Sequence, residues 1–414
     1  MTNSLLTAAE AIERLKVKPQ TLYSYVSRGL IRSVRHPDGR SRLYFGEDVA
    51  RLHERAAARS GHGPVAADAM HHGEPIIPTR LVEITAAGPR YRGHLATKLA
   101  AEKVTFEAVS ELLWTGLLHE GAFAWDTCSL PQNAKALPSP DAPEQMLETF
   151  ARLTIELGMA RGTASARLRK GDTLHAAREL IQATACSLSL LNRSAPRTEL
   201  LPEEKISDCI ARAFVPANCD LVSGIIEALL VLFADHELSP GTFAARIAAS
   251  SGAPLHSCVT AALCTMTGSE IGRHYAQMEQ VFVRSGDASR IIERARAAIR
   301  SGSSPLGFGH PLYPAGDPRA EHLFQLMRQC GPATQDGENI LLYAETIARE
   351  FEIHPRHELA ILALTTGLGF PHGSSAGLFV LARLPGLVAH ILEQRLDGRI
   401  LRPRAKFVGL SSLG

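Results

Sequence analysis

The chain has 414 residues, 45% of them hydrophobic and 21% charged, with a formal net charge of +2 at pH 7. This is too long for one small domain, and the balance is that of an ordinary globular chain with ample core-forming material. Seven cysteines form no Cys-x-x-Cys pair, so neither a zinc site nor a disulfide framework is expected. No basic segment followed by an apolar run opens the chain. The longest apolar run, Leu221 to Phe233, is interrupted by Glu227 and too short to span a bilayer. A cytoplasmic chain with no membrane partner is expected. Aromatics are only 6%, while Ala, Leu and Arg are abundant, which favours helix.

Residues 1–59 carry eleven Lys and Arg against six acids, a net +5 that leaves −3 for the remainder. A small basic head ahead of a slightly acidic body suggests a polyanion-facing module. Thr7 with Glu10 makes a capping box for a helix from Ala8 to Leu15. Lys16-Val17-Lys18 turns the chain, and Pro19 opens a second helix running to Arg28 before Gly29. Leu22 and Val26 face inward. Lys18, Gln20, Thr21 and Ser24 are left outside, where donors reach phosphates and base edges. Ile31 to Val34 and Arg42 to Phe45 flank Pro37-Asp38-Gly39, a hairpin, and Arg35, Arg40 and Arg42 cluster at its tip. A third helix closes the module. These residues resemble the winged helix-turn-helix of MerR-like regulators, which implies duplex DNA as a partner. Such modules also serve as protein-docking or dimer-stabilising heads, so both uses stay open.

Residues 60–73 are rich in Gly, Ala and His and read as a linker. From residue 74 to 414 the pattern is mainly helical. A strand, turn and strand span Leu81 to Gly93, followed by helical periodicity from Phe106 to Trp114. One long helical stretch is expected from Asp141 to Asn192, with further helices at Thr242 to Ala249 and Val259 to Thr267. Helical runs also cover Leu378 to Arg383 and Val388 to Gln394.

The most informative segment is Gly307-Phe308-Gly309-His310-Pro311-Leu312-Tyr313-Pro314-Ala315-Gly316-Asp317-Pro318-Arg319-Ala320. Its glycines let backbone approach a ligand, its His can donate to an oxygen, and its Arg can clamp a carboxylate. It closely resembles the second-histidine loop of citrate synthases. With the blocks Phe233 to Glu237, Leu368 to Pro371 and Leu378 to Gln394, the resemblance covers roughly residues 74–410. It implies a mainly α, two-domain helical body, a large domain with an inserted small one, assembled as a homodimer. It also implies oxaloacetate or citrate and acetyl-CoA or another acyl-CoA as ligands, with no permanently bound cofactor and no metal.

Carried over position by position, His310 acts on the ketone, and His236, Arg319 and Arg383 bind the keto acid. Arg402 reaches the neighbouring subunit's site. Glu358 stands where the family has its Asp base, one methylene longer. The family's first catalytic His falls at Ile271, which cannot donate a hydrogen bond. His274, three residues on, and His256, in an early Ala253-Pro254-Leu255-His256 look-alike, are the substitutes to consider. The oxaloacetate half of the site is therefore intact and the acyl half altered. Two functions follow: a condensing enzyme of the tricarboxylic acid cycle type with impaired or altered activity, or a ligand-sensing DNA-binding regulator that keeps the pocket. A third use is as the non-catalytic partner of a second citrate synthase chain.

Overall fold

The computed structural model describes residues 5–27, 31, 33–35, 41–46, 49, 77–121, 123–132, 137–170, 172–192, 197–269, 271–310 and 312–403. The chain divides into two compact units, an N-terminal head and a body spanning Thr79–Pro403.

In the head, Thr7 caps the helix Ala8–Leu15. The Glu10 N–H donates to the Thr7 hydroxyl at 3.3 Å, and the Thr7 N–H donates to the Glu10 carboxylate at 2.7 Å. Lys16 ends the helix in the left-handed region, φ 53°, which turns the chain toward the helix Pro19–Ser27. Strands Ser33–Arg35 and Arg42–Phe45 pair antiparallel, Val34 opposite Leu43. A third strand, Leu5–Leu6, pairs with the other edge of Arg42–Phe45. Sequence reasoning missed it, because two residues carry no alternation. Leu6, Ala11, Leu15, Leu22, Ile31, Tyr44 and Val49 form the head's core. Gly29, the linker 60–73 and the expected third helix beyond Val49 lie outside the described residues.

The body opens with an antiparallel hairpin, Val82–Thr85 against Gly88–Tyr91, extended by His94–Leu95. Tyr91 is fully buried, and its hydroxyl donates to the Leu232 carbonyl at 2.8 Å. That bond ties the hairpin to the end of the helix Cys219–Leu232. The stretch 141–192 is not one helix. It breaks into Met146–Ala160, Ala164–Lys170 and Thr173–Ser187. Gly162, at φ 93°, ends the first of them.

The helix Ser374–Asp397 runs through the core. By length and apolar content it could span a bilayer, but its side chains are packed inside the body. Pro385 within it supplies no N–H and disturbs the preceding turn. The next residue exploits the break: the Gly386 N–H donates across to the Ala234 carbonyl at 3.0 Å. A Cβ on Gly386 would lie 2.6 Å from that oxygen and 2.8 Å from the Asp235 Cβ, so this contact requires glycine. Trp114 donates to the Pro385 carbonyl at 3.0 Å. The helix is thus clasped to the segment carrying Asp235 and His236.

Candidate active site

Four segments meet beside this clasp. Phe233 to Glu237 follows the helix Cys219–Leu232. The loop 307–317 precedes the helix Pro318–Cys330, 354–358 opens the helix His357–Gly367, and the helix Ser374–Asp397 supplies Phe379 and Arg383. Gly307 and Gly309 take φ of 80° and 77°, and a Cβ on Gly307 would come within 2.9 Å of the Leu359 Cβ. The Arg356 N–H donates to the Gly307 carbonyl at 2.7 Å, and Phe308 bridges to Pro355. The His310 loop is therefore stitched to the segment bearing His357 and Glu358. Asp317 caps the helix Pro318–Cys330 by accepting from the Arg319 N–H at 3.0 Å.

Arg319 is almost fully buried. Its Nε and Nη2 donate to the two Asp317 oxygens at 3.0 and 2.8 Å, and its guanidinium lies 4.9 Å from the centre of the Phe233 ring. Its Nη1 meets His236 Nδ1 at 3.2 Å. Arginine only donates, so His236 Nδ1 accepts and its proton sits on Nε2. His310 reaches the same tautomer differently: the Leu312 N–H donates to its Nδ1 at 3.1 Å. Burial, then the charges of Arg319 and Arg383, hold His236 well below its ordinary pKa. Burial, then His357, bring His310 down to about 4. At neutral pH both rings are uncharged and present Nε2–H donors, with centroids 5.9 Å apart.

Arg383 is 2% exposed, and burial lowers its pKa. Its Nη2 lies 3.8 Å from Asp235 Oδ1 and donates to the Thr242 hydroxyl at 3.4 Å, while its Nη1 has no protein partner. A buried guanidinium N–H left open is costly, and a ligand carboxylate is its natural complement. Asp235 is held from the other side by His390 Nε2 at 3.2 Å, and His390 Nδ1 faces Arg246 Nη1 at 3.3 Å. Burial pushes the Asp235 pKa up, but His390 and Arg383 outweigh it and leave the carboxyl below its ordinary value.

Glu358 is also buried, but it is occupied. Arg356 Nη2 donates to Oε1 at 2.6 Å and Nε to Oε2 at 3.1 Å. Burial pushes its pKa up; the charges of His357 and Arg356 outweigh that and hold it at about 2. His357 Nδ1 lies 3.4 Å from both Asp317 and Glu358. Its ring is 5.5 Å from that of His310 and stacks on Phe379 at 5.6 Å. His310, Asp317 and His357 offer ligand atoms within 4.8 Å of one another, yet both Asp317 oxygens already receive Arg319, so the cluster is an ion-pair network.

Ile271 is half-buried at the start of the helix Gly272–Ser285 and packs against the core. One turn on, Tyr275 is buried against Phe379, at 5.8 Å between rings, and its hydroxyl has no protein partner. Burial, then the Glu358 charge, push its pKa well above the usual value. Tyr275, Gly272, Glu279 and His372 line a cavity of about 200 Å³.

Of the sequence candidates, His236, His310, Arg319 and Arg383 come together, and Glu358 joins them through His357. Arg402 is exposed beyond the last helix, outside this cluster. His256 lines a different cavity, among Arg161, Arg167 and Asp172. In the head, Lys18, Gln20 and Arg42 are exposed and Thr21 is half-buried, with Arg42 donating to the Ser33 hydroxyl at 3.0 Å. Arg28, Arg40 and the side chains of Ser24 and Arg35 lie outside the description. Sequence reasoning missed the parts played by His357, Tyr275, Asp317 and Arg356. The signal available was adjacency: Asp317 is two residues before Arg319, and Arg356 two before Glu358.

A family model described as citrate synthase, C-terminal domain, matches residues 72–404, and a helix-turn-helix domain model matches residues 5–56. The chain is 28% identical over 355 residues to the 2-methylcitrate synthase of Shewanella oneidensis, covering 80% of this chain and 91% of that protein. It is 30% identical over 183 residues to citrate synthase 2 of Bacillus subtilis, covering 44% of this chain and only 49% of that one. The match to the citrate synthase of Haloferax volcanii, 29% identical over 274 residues, covers 65% of this chain and 66% of the relative. Among solved structures, a Thermoplasma acidophilum citrate synthase in complex with carboxymethyl coenzyme A and oxaloacetate is similar in fold. Its TM-score is 0.67 at 20% identity, covering 82% of this chain and 95% of that one. The helical architecture, the converging His and Arg side chains and the match over residues 72–404 agree: the chain belongs to the citrate synthase family, with a helix-turn-helix domain at its N-terminus.

Proposed function

We propose that the body binds oxaloacetate and condenses it slowly with an acyl-CoA. The observation that carries this reading is the buried Arg383 Nη1 without a partner, set near Arg319 and two neutral Nε2–H donors. Arg383 and Arg319 hold the carboxylates; His310, with His236, donates to the keto oxygen and makes its carbon electrophilic. Glu358 removes a proton from the acyl methyl, the resulting carbon attacks the ketone, and His310 passes its proton to the new alkoxide and regains one, the proton on Glu358 restoring the balance; water then hydrolyses the thioester and frees the thiol. Slowness has two sources. Ile271 offers the enol oxygen no donor, a type of loss that costs on the order of 10²–10³ in rate. His357, and after it Arg356, hold Glu358 ionised but weakly basic, far from the pKa best suited to a base at pH 7. Assembly as a dimer lends Arg402 to the neighbouring subunit's site.

The exposed Lys18, Gln20 and Arg42 of the head favour a second reading, in which the pocket senses oxaloacetate or citrate and the head binds duplex DNA. One pair of experiments separates them: oxaloacetate titration by calorimetry, and thiol release from acetyl-CoA or propionyl-CoA. Binding with slow release supports the enzyme reading. Binding without release, coupled to a change in DNA affinity, supports the sensor. Absence of binding removes both.

A further inference from the structure

A second cavity lies where Ala253-Pro254-Leu255-His256 begins the helix Leu255–Met266. It measures about 40 Å³ and is lined by Arg161, Arg167, Asp172, His256 and Arg395. A water needs roughly 10–15 Å³ by the same measure, so about three waters, or one tetrahedral oxyanion, fit.

The walls are built from donors. Pro254 precedes the helix Leu255–Met266 and makes no side-chain cap, so the first N–H groups of that helix lack one. Asp172, before the helix Thr173–Ser187, makes no side-chain cap either. Its Oδ2 instead receives Arg161 at 2.7 Å, and Arg161 also donates to Glu179 at 2.6 Å, so that arginine's charge is answered. Arg167 and Arg395 then leave the cavity positive. Arg395 spends one N–H on the Ala253 carbonyl at 3.0 Å. His256 is 3% exposed, and its Nε2 has no partner; the buried Nε of Arg167 has none either. Gly158 makes room for both side chains, since a Cβ there would fall 2.9 Å from the His256 Cβ. Buried polar atoms without a partner are rare because they are costly; Arg167 Nε can only donate, and His256 donates there as its Nε2–H tautomer.

We infer that this cavity is a binding site for a phosphate-type oxyanion, held by Arg167, Arg395, His256 and the start of the helix Leu255–Met266. Donors from three separate elements suit an ion with three or four oxygens better than a planar carboxylate. The site shares no residue with the His236–Arg319–Arg383 cluster and stands whether or not that cluster catalyses.

The test is equilibrium dialysis of the full chain against radiolabelled inorganic phosphate in chloride buffer of constant ionic strength. One saturable phosphate per chain is expected, unaffected by acetate or oxaloacetate. Arg167 is half-buried, so R167Q should fold; it and R395Q should each weaken binding at least tenfold, while R383K keeps it. Displacement by adenosine monophosphate would identify a phosphomonoester as occupant, and its failure the inorganic ion; either supports the site. Absence of saturable binding, equal binding in R167Q and R395Q, or displacement by oxaloacetate would overturn it.

Discussion

Arg356 grips Glu358 through two hydrogen bonds, at 2.6 and 3.1 Å, from a position only two residues before it. The pairing orients the carboxylate and, after the charge of His357, lowers the affinity for a proton that a base must have. R356N should raise the Glu358 pKa from about 2 and speed oxaloacetate-dependent exchange of acetyl-CoA methyl protons several-fold. Deuterium exchange followed by mass spectrometry measures this directly. An unchanged or slower exchange would mean that Arg356 positions Glu358 rather than restraining it.

The two buried arginines should respond differently to substitution. R383K keeps the charge beside Asp235 but loses the planar fork, so the chain should fold and bind oxaloacetate at least tenfold more weakly. R319A strands Asp317, whose carboxylate is buried and doubly bonded to it. A loss of about 3–5 kcal/mol in stability should accompany the loss of binding. Urea unfolding and calorimetry on both variants distinguish them; wild-type affinity in R383K would remove Arg383 from the pocket.

The Gly386–Ala234 clasp makes a remote prediction. G386A forces a Cβ against the Ala234 carbonyl and Asp235, and overpacking of this kind costs about 1–3 kcal/mol. Because the displaced segment carries His236, oxaloacetate affinity should fall together with stability. A stable G386A with normal affinity would show that the clasp does not position the site.

Acid should unfold the body in a defined window. His310 is held at about 4 against an ordinary 6.5, so between these values the unfolded chain takes up a proton that the folded chain refuses. That stability is complete above about pH 6.5 and is lost as pH falls toward 4. His256, also held at about 4, adds in the same direction over the same window. Glu358 contributes lower down, between its ordinary 4.5 and about 2. H310Q should flatten the upper window by up to about 3 kcal/mol. Urea midpoints between pH 7 and 4 provide the check, and an identical pH profile in H310Q would contradict the assignment.

For the head, binding to duplex DNA through phosphates should weaken steeply with salt, and K18A or R42A should each reduce the slope of log affinity against log salt by about one. Fluorescence anisotropy at several salt concentrations reads it. Salt-insensitive or absent binding would favour a docking role for these exposed residues.

Much of this arrangement was legible in residue order. Thr7 and Glu10 announced their capping box, and the resemblance of their sequence blocks to citrate synthases pointed to His310, Arg319 and Arg383. What remained hidden depends on through-space contacts. Nothing local says that Arg356 folds back on Glu358, that Tyr275 buries its hydroxyl against Phe379, or that His357 lies between two carboxylates. The helical stretch expected over 141–192 is present, but its division was not legible: the first of its helices ends beside Gly162, in the left-handed region. His256 resembled a catalytic histidine because Pro254-Leu255-His256 repeats part of the family's motif, and the structure places it in the first turn of the helix Leu255–Met266.

On the proposed function, the oxaloacetate half of the site is sound and the acyl half is not. The most direct measurement is steady-state thiol release by the native chain and by I271H, with oxaloacetate affinity determined calorimetrically on the same samples. Oxaloacetate should bind both proteins equally, the native chain should turn over well below the roughly 10 s⁻¹ of a median enzyme, and I271H should be faster. A native chain that turns over at that ordinary rate, or that fails to bind oxaloacetate, would contradict the account.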